Sequence, residues 1–439
     1  MKLCIVEDQG YQAFYPLTKT RPVFDLRCGK FTIEERLLEI LEVGSEPLYY
    51  LIRHELQQIW KSKHKRDSNI IFDVPTEGDR LILNGRVLFH EEQISEIISK
   101  TQQNKGGQFL WLCNDTWAAM YIPEEKRGPG SDELFDGKFD YNLFNNQMYM
   151  DVGVITYPWE LNRYNAKMIR SDFGFITKRL QKLRFPPLHK QVAILNAENL
   201  IIGKHSEIYP FVTLDCTHGP VIIGDNVTIE SGAYIKGPVC IGDNCLISAN
   251  TKLYTNTTLG ETCKVGGEIS HSIIHGFSNK RHSGFLGNSY IGKWVNLGAG
   301  TNTSNMKNNY NAISVRLNGK KINTGQQFLG LYMGDHSRSA IDTSFNTASF
   351  IGVGCNIFGE GIPKKNVRDF TWGGIEDFEL YEFKKFIENA RRMMIRREIE
   401  LSDEEILLLK SLHNCRTTEL GSKVNLSVIK GNGFDSSGE

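Results

Sequence analysis

Every sixth residue from Ile223 to Val265 is aliphatic: Ile223, Ile229, Ile235, Ile241, Ile247, Leu253, Leu259 and Val265. A period of six matches neither the turn of an α-helix nor the alternation of an ordinary strand. It is the mark of a parallel β-helix, in which three short strands make one turn and each points an aliphatic side chain inward. Stacked rungs bury one another's apolar surface, so the pattern has to persist to be stable. It does persist. A shorter run leads in at Ile202-Gly203, Ile208 and Leu214, and others follow at Ile291-Gly292 and Leu297, then Met333-Gly334, Ser339, Phe345, Ile351-Gly352 and Ile357. Ile223, Ile241 and Leu259 are each followed by glycine, which suits a tight corner where a Cβ costs energy. The repeat predicts a β-helix domain over 191–363.

Two stretches lose the rhythm. The first, at about 267–290, surrounds SNKRHSGFLGNSYIG (278–292), where His282 follows Lys280 and Arg281. The second is the polar excursion MKNNYNAISVRLNGKKINTGQQFLG at 306–330. Long loops inside a compact solenoid are usually functional. A smooth coil offers no pocket, so an irregular rung around a histidine is where a pocket is expected.

Residues 1–190 read as an α/β domain. Short apolar strands are expected at Leu3–Val6, Leu48–Ile52, Asn69–Phe72, Leu81–Leu83 and Phe109–Leu112, with amphipathic helices at 32–42 and 91–99 between them. That alternation predicts a mostly parallel sheet. Beyond the coil, 364–420 forms a helical extension, with Ser402 and Glu405 as a capping box ahead of Ile406–Leu409. Its basic run Arg391, Arg392, Arg396 and Arg397 is either a solvated face or a surface for an acidic ligand. Residues 421–439, rich in Gly, Ser and Asn, are expected to be a disordered tail.

Lys+Arg and Asp+Glu both count 51 in the 439 residues. That balance speaks against nucleic-acid binding through a basic surface, while leaving room for a local basic pocket. No apolar run nears the roughly 20 residues needed to span a bilayer. The opening MKLCIVEDQG is too short in apolar residues for a signal-peptide core. Nine cysteines without a C-x-x-C pair fit reduced thiols and a cytoplasmic location.

The segment HSGFLGNSYIGKWVNLGAGTNTSN (282–305) resembles the acetyltransferase half of the bifunctional N-acetylglucosamine-1-phosphate uridylyltransferase / glucosamine-1-phosphate acetyltransferase family. The resemblance implies a left-handed coil, a homotrimer with sites between neighbouring coils, and acetyl-CoA as co-substrate. It implies that His282 is the general base toward the amine of an amino-sugar phosphate, with Glu268 as an active-site acid group. Asn296 falls on a sugar-binding position, and Ala299 and Asn305 on acetyl-CoA contacts. Phe285 stands where the family has a tyrosine and lacks its hydroxyl. Met306 replaces another tyrosine. No basic residue occupies the usual place for the sugar phosphate, so Lys280, Arg281, Lys320 and Lys321 are the candidates. A histidine titrating near ~6.5 suits this chemistry, since an amine must lose a proton as it attacks a thioester.

The N-terminal half resembles sugar-phosphate nucleotidyltransferases of a Rossmann-like fold, through LCIVEDQGYQAFYPLTKTRPVFDLRCGK (3–30), LILNGRVL (81–88) and MDVGVITYP (150–158). The resemblance places Lys30 in the signature and Asp151 at a sugar-binding position. Two departures stand out. Glu7 and Asp8 put negative charge in what is normally a glycine-rich phosphate loop. Arg86 replaces the aspartate that holds Mg²⁺, and an arginine cannot ligate that ion, although Arg86, Arg21 and Arg27 are able to bind phosphate. Mg²⁺ use is therefore doubtful on sequence grounds. Two rivals remain at this point: a non-catalytic sugar-nucleotide-binding protein, and a zinc hydratase using His271, His275 and His282.

Overall fold

In a computed structural model, the chain is described over residues 1–44, 46–64, 69–104, 106–180, 186–374 and 378–431, with side chains to 418. The N-terminal domain is built on a seven-stranded sheet in the order Ile70–Ile71, Leu48–Leu51, Lys2–Val6, Arg80–Asn84, Thr116–Ile122, Phe109–Cys113, Asn146–Tyr149. The first four strands run parallel, and Thr116–Ile122 is antiparallel to both its neighbours. Helices Ile33–Leu41, His54–Lys63, Glu91–Gln103 and Pro158–Arg179 flank it. Ile33–Leu41 starts where Thr32 and Glu35 exchange capping bonds.

The second domain is a parallel β-helix of three sheets. All eight residues of the six-residue ladder are buried in one apolar column. Along one edge of it Ile223, Ile241, Leu259, Ile274, Ile291, Met333 and Ile351 stack in register. The glycines that follow the aliphatic residues serve a different purpose from the one expected. Their backbone is not left-handed; instead a Cβ on Gly260 would overlap the carbonyl oxygen of His275 on the next rung. The left-handed corner conformation falls two residues later, on Asn226, Asn244, Thr262, Trp294 and His336.

The first irregular stretch does not interrupt the coil. Ile247 pairs with Val265, eighteen residues on, whereas Val265 pairs with Lys280, only fifteen on. The rung is shortened and the column continues. The second stretch forms a hairpin, Ser314–Leu317 with Lys320–Asn323. It folds onto the N-terminal domain, burying Ile313, Val315 and Leu317, and Asn318 Nδ2 donates to Gln12 O at 3.0 Å.

The two domains share a core. One face of the coil turns Ile222, Cys240, Thr258, Ile273, Tyr290, Tyr332 and Phe350 outward, and all are buried. Ile169 of the helix Pro158–Arg179 packs on Ile222 and Cys240. From the same helix, Asn162 donates to the carbonyls of Ser289 and His271 at 2.9 and 3.1 Å and accepts from Tyr332 Oη at 3.0 Å. Buried polar groups matched this closely fix the docking angle as well as its strength.

The extension beyond the coil is partly strand. Asn366–Val367 and Thr371–Gly373 continue the coil, and Phe378–Leu380 turns back antiparallel, where helix was expected. Helices follow at Phe383–Ile395 and Asp403–Gly431, the second started by the expected Ser402–Glu405 box. Its backbone is helical past residue 420, where a disordered tail was expected; 432–439 lie outside the described residues. No helix among the described residues is long and apolar enough to cross a membrane.

Candidate active site

Lys280 stands at an inward-facing position of the coil, between Val265 and Leu297 in the column of buried aliphatic residues. It is 2% exposed. Its Nζ donates to the carbonyls of His282 at 3.0 Å and of Gly266 and Ser283 at 3.3 Å. Burial pushes the ammonium pKa down to about 8. The lysine expected to meet a substrate phosphate therefore faces away from solvent and ties down the turn that carries His282. Position in the column, not proximity in sequence, decides its role.

That turn is the corner between two faces. His282 itself is exposed, with Arg281 and Ser283. On one side of the corner Glu268 and Phe285 are register partners on adjacent strands. Phe285 also lines a cleft of about 820 Å³ with Asn302, Met306, Lys307 and Phe345. On the other side Asn279 and Asn296 are register partners. The coil thus brings Glu268 to Phe285, but sets Asn296 on the adjacent face, with His282 at the edge they share. Ala299 lies one rung on, in the corner whose Gly300 N–H donates to Ser283 O at 3.2 Å. Asn305 points to Asn288, Nδ2 to Oδ1 at 2.8 Å. Lys320 is exposed on the hairpin that packs against the N-terminal domain.

The histidines proposed for a zinc site do not gather. His275 is fully buried against Tyr290 Oη at 3.0 Å, and burial holds it well below its usual pKa. His271 bonds Ser270 Oγ at 2.7 Å. Among the described residues no three His, Cys, Asp or Glu side chains group as metal ligands. All nine cysteines are unpaired.

The two departures in the N-terminal domain belong to one structure. Arg86 Nε and Nη2 donate to Asp8 Oδ1 and Oδ2 at 2.7 and 2.6 Å, a bidentate pair with both side chains largely buried. Arg86 Nη1 also donates to Ile155 O at 3.0 Å. The guanidinium fills the space beside Gly10, where an added Cβ would sit 2.6 Å from Arg86 Nε. Glu7, fully buried, receives Arg53 Nε at 3.0 Å and the Val23 N–H at 2.9 Å. Desolvation raises its pKa against the pull of Arg53. Charge in this loop is answered from within the protein.

The arginines expected to hold nucleotide phosphates are likewise engaged. Arg21 pairs with Asp335 of the coil, which also accepts from Thr20 Oγ1 at 2.7 Å. Arg27 pairs with Glu261 at 3.2 Å, and its N–H donates to Tyr290 Oη at 2.8 Å. Lys30 lies 4.8 Å from the Phe31 ring centre, and its N–H donates to Asp172 at 2.7 Å. Asp151 is exposed. The signature segment 16–30 has become a seam between domains.

Comparison with known proteins fits both halves. A sugar nucleotidyl transferase family matches residues 3–181, and the bacterial transferase hexapeptide family matches 220–255. A bifunctional sugar-1-phosphate nucleotidylyltransferase/acetyltransferase from Sulfurisphaera tokodaii is 34% identical over 400 residues, 84% of this chain and 98% of that protein. The chain belongs to this bifunctional family. The bifunctional protein GlmU of Methanococcus maripaludis is 30% identical over 392 residues, 78% of this chain and 91% of its own length. As a family member the chain is a transferase, with a nucleotidyltransferase-type domain joined to a hexapeptide acyltransferase coil.

The inward place of Lys280, the closure of Arg86 on Asp8 and the meeting of Arg338 with the basic run of the extension were not foreseen. Lys280 left a trace in the sequence, since it takes the place of an aliphatic residue once the rung is counted three residues short, and the run containing Arg392 and Arg396 left another.

Proposed function

We propose that the coil transfers the acetyl group of acetyl-CoA to the amine of an amino-sugar phosphate such as glucosamine-1-phosphate, with His282 as general base. The observation that supports this reading is the exposed His282 corner, pinned by the buried Lys280. A base on a fastened turn keeps its geometry through turnover, which catalysis by positioning requires. In the step, the amine nitrogen bonds to the thioester carbonyl carbon and gives its proton to the His282 imidazole. The C–S bond then breaks, and the departing sulfur takes a proton as coenzyme A leaves. Glu268 and Phe285 would flank the amine from one face, with Asn296 reaching the sugar from the other side of the corner. A homotrimer, which would set a neighbouring coil across that corner, and a cytoplasmic setting complete the proposal.

The residues present do not fit Mg²⁺ in the N-terminal domain. The position where the family places an acidic ligand carries Arg86, and the adjacent carboxylate, Asp8, is spent on it. We therefore read this domain as a divergent nucleotidyltransferase of altered activity.

The test is release of free thiol from acetyl-CoA in the presence of glucosamine-1-phosphate. Wild-type protein is expected to turn over, and His282→Ala to lose at least about a hundredfold in kcat. Equal turnover in the two proteins, with the same oligomeric state, would remove His282 from the mechanism.

A further inference from the structure

The coil face that ends at the His282 corner carries Lys264, Asn279, Asn296 and Arg338 at successive outward positions in register. The helix Phe383–Ile395 and the turn after it lie along this face. Together they enclose a cleft of about 310 Å³, to which the helical segment contributes Arg392, Met393 and Arg396.

Apart from the acceptor oxygens of Asn389, hydrogen bonds leave the cleft presenting mainly donors. Arg397 Nη2 donates to Asn279 Oδ1 at 2.8 Å, and Asn279 Nδ2 donates to Asn296 Oδ1 at 3.3 Å. Both amide oxygens are thereby engaged, and Asn296 keeps its NH₂ group to offer. Arg338 Nη2 donates to Asn389 O at 3.1 Å, which holds the guanidinium in the cleft and leaves its other N–H groups. Among the described residues Arg392 pairs only with Glu388, at 3.8 Å on the same exposed helix face, a contact worth little. Arg396 has no ion pair among the described residues. The wall therefore presents mainly donors and positive charge, with no carboxylate in the lining.

The charges also crowd one another. Lys264 is held below its ordinary pKa first by burial and then by Arg397, Arg281 and Arg396. Arg281 adjoins His282, so this positive field reaches the catalytic corner. Like charges held together without a counter-charge are relieved by an anion, and forked guanidinium groups match phosphate oxygens.

We infer that the cleft of Asn296, Arg338, Arg392 and Arg396 binds a phosphate group of a substrate, with Arg338 offered by the coil and Arg392 and Arg396 by the C-terminal extension. Which substrate carries that phosphate rests on the acetyl-transfer reading: the acceptor sugar phosphate and coenzyme A both offer one.

The test is calorimetric titration of the full chain, as wild type, Arg396→Ala, Arg338→Ala and Arg396→Lys. The probes are glucosamine-1-phosphate, unphosphorylated glucosamine, coenzyme A and dephospho-coenzyme A. Each alanine variant is expected to weaken a phosphate-bearing probe by about tenfold or more, the loss of one charge-assisted pair, with glucosamine unchanged. Arg396→Lys should recover part of that loss. A loss confined to glucosamine-1-phosphate assigns the cleft to the acceptor. A loss for coenzyme A but not its dephospho form assigns it to the coenzyme's 3′-phosphate. Unaltered affinity for every probe in folded variants overturns the inference, as does a wild type that binds none of them. Thiol release measured alongside separates the two claims, because binding that depends on Arg396 stands even where no acetyl transfer occurs.

Discussion

Lys280→Met tests the buried lysine directly. Methionine has similar length and suits an aliphatic column, so the substitution removes the charge and the three carbonyl contacts with little change of volume. The folded-state pKa of Lys280 is about 8, against 10.5 for a free lysine. At about 1.4 kcal/mol per pH unit, burying the charged form below pH 8 costs about 3 kcal/mol relative to burying the neutral one. The unfolded chain binds the extra proton between pH 8 and 10.5, so the wild type gains stability as pH rises through that window and has lost all of that gain once pH falls back to about 8. Methionine has no such dependence. Chemical denaturation of both proteins at pH 7, 9 and 10.5 should show the stability difference moving by about 3 kcal/mol in favour of wild type. At pH 7 the two should lie within about 2 kcal/mol, because the relieved charge offsets the unpaired carbonyls of Gly266, His282 and Ser283. Thiol release by the variant should nevertheless fall tenfold or more, as the His282 turn loses its anchor. A stability difference that is flat with pH would refute a charged lysine in the column.

Arg86→Met should destabilise the N-terminal domain by about 3 kcal/mol, because it strands the largely buried Asp8; Asp8→Asn combined with it should restore most of that, as read by thermal unfolding. His336, buried at a corner beside Trp294, has its pKa pushed down to about 4 by desolvation. Stability should therefore fall as pH drops from 6.5 to 4, and His336→Phe should blunt that acid sensitivity in denaturation measured across the range. Asn162→Leu removes the partner of Tyr332 Oη and of two coil carbonyls. It should cost about 3 kcal/mol and split one calorimetric transition into two, as the domains melt apart.

The architecture could be read from the chain because its strongest signals are local and periodic. Ile223 to Val265 repeat without a slip, and all eight side chains are in the column. The strands at 3–6, 48–52 and 81–83 are short apolar runs, and each falls within one residue of the observed element. The site was harder to read, because its meaning depends on register and on long-range pairing. Lys280 and Arg281 look equivalent as neighbours, yet one faces the interior and the other solvent. Asp8 and Arg86 looked like two separate defects in a phosphate site. They are partners across 78 residues of chain, a relation no local pattern carries. The signature around Pro16–Lys30 kept its spelling while Thr20, Arg21 and Arg27 turned to the coil, so likeness of sequence there outlasted likeness of use.

The shared core has a practical consequence for anyone dividing the protein. Expressed alone from residue 186 onward, the coil would carry Ile222, Cys240, Ile273, Tyr290, Tyr332 and Phe350 as a greasy stripe, broken by Thr258, open to water. A stripe of that kind recruits whatever apolar surface is nearest, so the fragment should precipitate or cling to chaperones. Solubility would then report on the missing half of the protein, with no change to a single residue of the His282 corner.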